Sequence, residues 1–146
     1  MEKQFICYCG LYCENCAVKS KIQPAGEKLC EEMKKAGFEE IINYIPGGRE
    51  FWPFLKNIAE KGLCISCREG GGNPACAVRN CAKERSLDFC ALCDIYPCEK
   101  IEKFFENYPM LKQDNELLRE KGLAAWAKMQ DERKARFYAY TDQRNR

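Results

Sequence analysis

The stretch CGLYCENC, Cys9 to Cys16, sets three cysteines at C-x3-C-x2-C spacing near the start of a chain of 146 residues that holds twelve cysteines and no histidine. Four readings compete for such a run: a disulfide staple, a redox site, an iron-sulfur cradle and a zinc site. Cysteine makes up about 8% of the chain, the level at which it acts as a framework rather than as a scattered small hydrophobe. Compartment then decides between disulfide and metal. The opening residues MEKQFICYCGLYCENCAVKS hold no long apolar run and no small-residue cleavage site, so they do not read as a secretory signal. Apolar windows such as FEEIINYI are too short and interrupted to cross a membrane. The expected location is a reducing cytoplasm with no membrane partner, which argues against disulfides.

Ten cysteines fall in one array: Cys9, Cys13 and Cys16; Cys64 and Cys67; Cys76 and Cys81; Cys90, Cys93 and Cys98. Two thiolates separated by two residues can turn back onto one tetrahedral ion, with the N–H groups of the turn bonding to the sulfurs. Without histidine, a structural site must be all-sulfur or borrow a carboxylate. Zinc is the expected cofactor, with an iron-sulfur cluster as the alternative, since thiolates suit both. Ten ligands do not divide by four. Two tetrahedral ions would leave two thiols over, while three-cysteine sites would leave a position open for chemistry. Cys7 and Cys30 stand outside the array, Cys30 on the apolar flank of a helix where a buried inert thiol fits. Arg68, Arg79, Lys83 and Arg85 lie close to the ligand pairs and could offset thiolate charge, with ordinary surface cations as the plain alternative.

Between these blocks the chain reads as helix. Pro24 to Ile45 gives two helices, or one broken at Gly37; Glu50 to Lys61 gives an amphipathic helix with Phe51, Phe54, Leu55, Ile58 and Ala59 on one side and Pro53 in its first turn. Ile101 to Tyr108 gives a helix closed by Pro109, Met110 to Lys121 one closed by Gly122, and Leu123 to about Tyr140 a last one with Trp126, Met129, Phe137 and Tyr140 on one stripe. Gly70 to Gly72, followed by Asn73 and Pro74, read as a mobile loop. Residues 73–81 repeat the spacing of 90–98, with Asn73 standing where a first cysteine would be. The expected fold is mainly α with small irregular or short-strand zinc-knuckle elements. It forms one metal-stapled domain over 1–146, with 64–98 as the metal-binding core block and 99–146 as a helical C-terminal part.

CGLYCENC, GLCISC and CAVRNCAKERSLDFCALCDIYPCEKIEKF together resemble an uncharacterised prokaryotic cysteine-rich family of unknown function, with the pattern CGLxCxxC, CxxC, CxxxxC and CxxCxxxPC. The likeness runs from residue 9 to about 105, and Gly122 with Trp126 is similar as well. It implies a metal-binding cytoplasmic protein and carries no established activity. Asn73 departs from it, in a place where a cysteine is expected. C-x3-C-x2-C is also the spacing of radical S-adenosylmethionine enzymes, but those need a barrel longer than this chain.

A formal charge of +2 gives no global pull toward nucleic acid. Residues 121–146 carry seven Lys or Arg against three Asp or Glu, yet this reads better as an amphipathic helix with its aromatics inside than as a nucleic-acid surface. The reading that needs fewest assumptions is a metal-binding, mainly structural protein, with a thiol redox or iron-sulfur protein as the alternative. An enzyme with an open metal position would have to draw its base from groups such as Glu14 or Glu50. The spacing leaves a protein partner open.

Overall fold

The computed structural model describes residues 3–143. It is 69% helical, and among the described residues there is no strand, only an isolated antiparallel bridge between Ile6 and Tyr12. The mainly α architecture is as the sequence implies; short 3-10 turns take the place of strand pairs at the cysteine knuckles. The chain divides into two compact units, Ala17–Cys64 and the combination of Met1–Cys16 with Ile65–Arg146.

In Ala17–Cys64, a π-helical turn Val18–Ile22 leads into α1 (Gln23–Lys35). Pro24 lies in the first turn, where a missing N–H removes no helical bond, and Lys34 and Lys35 face the negative helix pole. Gly37 adopts φ 73° and separates α1 from α2 (Phe38–Ile41), as its place in the sequence suggests. Helix α3 (Gly48–Lys61) packs on α1, and Gly26 permits the approach, since a Cβ there would lie 2.7 Å from Ile58 Cγ2. Two features of α3 differ from the sequence reading. It begins before Glu50, so Pro53 lies beyond the first turn and leaves the Arg49 carbonyl without its usual i+4 donor. Its inner side is Trp52 and Leu55, while Phe51 and Phe54 are 42% and 55% exposed. Trp52 brings the largest apolar surface of the helix and packs with Leu55, Cys30 and Ile42. Cys30 is thus the buried thiol expected. Leu55→Ala should cost about 2–5 kcal/mol in urea denaturation; a loss below about 0.5 kcal/mol would remove Leu55 from the core.

The other unit holds α4 (Ala77–Glu84), α5 (Glu99–Phe105) and α6 (Met110–Ala135), the last broken at Gly122, whose φ of 77° and ψ of 176° are not helical. One core cluster joins Ile6, Tyr12, Phe89, Ala91, Leu118 and Trp126; a second joins Cys9, Val78, Ile101 and Leu111. Tyr12 and Trp126 meet edge to face at 6.1 Å. The last helix stops at Ala135 rather than near Tyr140. Phe137 takes φ 54° and is 74% exposed, so it leaves the stripe that sequence gave it. What ends the helix is a better bond elsewhere: the turn brings Tyr140 inward, where its hydroxyl accepts the Tyr12 N–H at 2.7 Å.

The glycine loop is also tighter than its composition suggests. Gly71 N–H donates to Ser66 O at 2.9 Å, its carbonyl accepts from Arg79 Nη1 at 2.7 Å, and a Cβ at Gly71 would lie 1.8 Å from Ile65 O. Asn73 heads the next turn, its Oδ1 accepting the Ala75 N–H at 2.9 Å. Its side chain serves the backbone in the place where the repeat would put a thiol.

Candidate metal centre

Two of the C-x2-C motifs fold into one backbone shape. Cys13–Asn15 and Cys90–Leu92 are single 3-10 turns, each preceded by an extended residue, and each closed by a cysteine at nearly the same angles: φ −74°, ψ 138° at Cys16 and φ −73°, ψ 141° at Cys93. Cys16 N–H donates to Cys13 O at 3.0 Å and Cys93 N–H to Cys90 O at 3.1 Å. Before the first turn runs a tight loop, closed by Cys7 N–H on Leu11 O at 2.8 Å and Gly10 N–H on Cys7 O at 3.0 Å. Gly10 has φ 95°, and Asn115, fully buried, donates from Nδ2 to Cys9 O at 3.0 Å just beneath it. A Cβ on Gly10 would stand 1.9 Å from Asn115 Oδ1. Gly10→Ala is therefore expected to cost about 1–3 kcal/mol from backbone strain, with the clash added. A thermal midpoint unchanged from the parent chain would contradict this geometry.

This loop brings Cys7 into the site. Its sulfur lies 3.8 Å from Cys13 Sγ, and the neighbouring Cys13, then Cys67 and Cys9, together with burial push its thiol far above the ordinary range. Its partners move the other way. Cys13 is lowered by the bond with Cys7, against the effect of burial, and Cys67 is lowered to about 6 by Cys7, the Tyr8 N–H and Arg79. The Cys67 N–H in turn serves the Cys13 sulfur. The sequence array leaves Cys7 out; reading Gly10 as a tight turn would have placed Cys7 opposite Leu11 and diagonal to Cys13 on the same face, because Ile6 and Tyr12 pair across the same loop.

Four further cysteines, Cys81, Cys90, Cys93 and Cys98, line one narrow cavity of about 30 Å³. Cys90 is raised by burial, then by the neighbouring Cys9, Cys98, Cys93 and Cys81. Cys76 caps α4 and packs against the cluster that contains Cys9. Cys16 closes its turn, half-buried, and Cys64, the last residue of the other unit, is exposed. All twelve cysteines are free thiols. Among the described residues no three Cys, Asp or Glu side chains stand, as placed, in the arrangement of a metal site. The donor chemistry nonetheless fits one. A tetrahedral ion with sulfur ligands at about 2.3 Å has edges of about 3.8 Å, the separation of Cys7 and Cys13. A change of χ1 rotamer moves a cysteine sulfur by about 3 Å, enough to draw in a neighbour.

The arginines act differently from simple counter-charges. Arg79, 6% exposed, donates to the carbonyls of Cys67, Gly71 and Asn73. Arg68 donates to Ile6 O at 2.7 Å and Asp88 O at 2.5 Å, with its guanidinium 4.3 Å from the Tyr8 ring centroid. Arg119, which the sequence reading passes over, bonds the carbonyls of Ala91 and Cys93. Each clasps the backbone of a cysteine loop, a task that the forked guanidinium suits. Arg85 approaches sulfur directly, its Nη1 3.8 Å from Cys93 Sγ, and Lys83 is exposed. Glu14 pairs with Lys134 at 2.8 Å.

Below the first knuckle runs a buried polar chain that hydrophobic periodicity does not reveal. Asn15 Nδ2 donates to Gln130 Oε1 at 2.7 Å, Gln130 Nε2 to Asp114 Oδ2 at 3.1 Å, and Arg133 forks onto both Asp114 oxygens at 2.5 and 2.9 Å. It fixes the Cys13–Cys16 turn to α6.

Residues 5–103 match the family described as a protein of unknown function, DUF3795. The chain belongs to that family. All twelve cysteines lie inside the DUF3795 match, whereas Asp114, Asn115, Trp126 and Gln130, which brace the cysteine loops from α6, lie beyond it. No curated protein and no solved structure matches.

Proposed function

We propose that this protein binds metal, and that Cys7, Cys9, Cys13 and Cys67 hold one zinc ion whose role is structural. The observation that carries the reading is the placement of the Cys7 thiol against three others. Zinc suits the set better than a four-iron cluster: each iron of such a cluster takes its own cysteine, so its ligands stand farther apart than sulfurs sharing one ion, and 3.8 Å matches the shared case. Backbone N–H groups aimed at Cys13 and Cys67, and Arg79 beside Cys67, would offset the thiolate charge. The ion would tie the N-terminal loop to the Cys67 turn, where few apolar side chains are available. Twelve free thiols fit a reducing compartment such as the cytoplasm, and no helix among the described residues is long and apolar enough to cross a membrane. A structural role is favoured over nucleic-acid binding because, of the aromatics Trp126, Phe137, Tyr138 and Tyr140, Phe137 alone is exposed, whereas a stacking platform would present several.

Titrating the purified chain with an organomercurial while a chromogenic chelator reads free metal tests this. Zinc should be released in step with thiol modification. Release of iron in place of zinc, or modification with no metal released, would overturn it.

A further inference from the structure

The cavity lined by Cys81, Cys90, Cys93 and Cys98 draws its sulfurs from three separate elements. Cys81 lies in α4, Cys90 and Cys93 bracket a knuckle, and Cys98 caps α5. The space is about 30 Å³, too small for an organic ligand and sufficient for a single ion. Val78 and Ile101, 3% and 1% exposed, contribute apolar walls, and no carboxylate lines it. Tyr96 and Lys100 also line it, but the only anionic ligands it offers are the four thiols, and sulfur donors select a thiophilic cation over magnesium or calcium.

The knuckle is held in place much as the first one is. Cys90 N–H donates to Tyr8 O at 2.8 Å, and Arg119 clasps the carbonyls of Ala91 and Cys93 from α6. The Arg85 guanidinium, 3.8 Å from Cys93 Sγ, is placed to balance a thiolate. We propose that Cys81, Cys90, Cys93 and Cys98 form a second thiolate centre that takes one zinc-class ion, independent of the centre around Cys7. The two centres share no cysteine, although Cys9 of the first is a neighbour of Cys90 in the second. The proposal rests on the metal-binding reading above for the choice of ion, but not for the residues that hold it.

Two variants of the full chain separate the claims, Cys90→Ser with Cys98→Ser, and Cys13→Ser with Cys67→Ser. With zinc measured per chain after gel filtration, the parent should carry two ions and each variant one. Two ions retained in Cys90→Ser/Cys98→Ser would overturn the second centre. Loss of one ion there, with both retained in Cys13→Ser/Cys67→Ser, would uphold the second centre and sink the first. Should either variant fail to fold, cadmium-113 resonance of the loaded parent chain decides: two signals in the all-sulfur range support two centres, and a single signal contradicts them.

Discussion

Removing metal with excess chelator under reducing conditions is expected to abolish the protection of backbone amides across 65–98 from hydrogen exchange. This segment contributes few buried apolar side chains, chiefly Val78, Ala82, Phe89 and Ala91. It is otherwise held by backbone clasps from Arg68, Arg79 and Arg119. Structural zinc contributes about 10–16 kcal/mol in small zinc-finger peptides, as much as the whole folding stability of an ordinary domain, about 5–15 kcal/mol. No set of backbone bonds on this scale replaces it. The Trp126 side of the core, built from α6 and the N-terminal loop, should lose less. Unchanged exchange across 65–98 after verified metal removal would contradict the account.

The second large effect is expected from Asp114→Ala. The Asp114 side chain is 2% exposed and accepts three hydrogen bonds, two from Arg133 and one from Gln130. Removing one partner of a buried pair costs about 3–5 kcal/mol because the other charge is left without compensation. Arg133 is 23% exposed and can regain some water, which places the loss toward the lower end. The damage reaches further than the pair, since Gln130 loses its acceptor and its grip on Asn15, inside the Cys13–Cys16 turn. Replacing both partners, Asp114→Leu with Arg133→Met, should recover part of that loss. Urea denaturation reads both changes; a loss below about 0.5 kcal/mol for Asp114→Ala would show the chain to be dispensable.

Local signals were legible wherever one residue determines the backbone. Gly37 and Gly122 mark breaks that the structure shows at the same positions, and the C-x2-C spacing at Cys13 and Cys90 yields the same turn twice. Periodicity was weaker where two faces compete: α3 offers Trp52 one residue from Phe51 and two from Phe54, so they lie on different sides of the helix, and which side enters the core depends on what packs against it. Cys7 escaped because spacing rules count residues along the chain, whereas a loop closed at Gly10 brings residue 7 beside residue 13. Asp114, Gln130 and Arg133 look like solvated helix positions in sequence, and only the fold brings them together under the knuckle. The arginine clasps share that cause, since their acceptors are carbonyls that no side-chain pattern records.

The central claim is that these thiols are ligands. Native mass spectrometry of the chain purified under reducing conditions tests it directly, by comparing its mass with that of the same sample denatured in acid. The native form should be heavier by two zinc ions, less the protons that the thiols give up on binding. A folded chain with the same mass in both states, and twelve thiols open to alkylation once denatured, would contradict it.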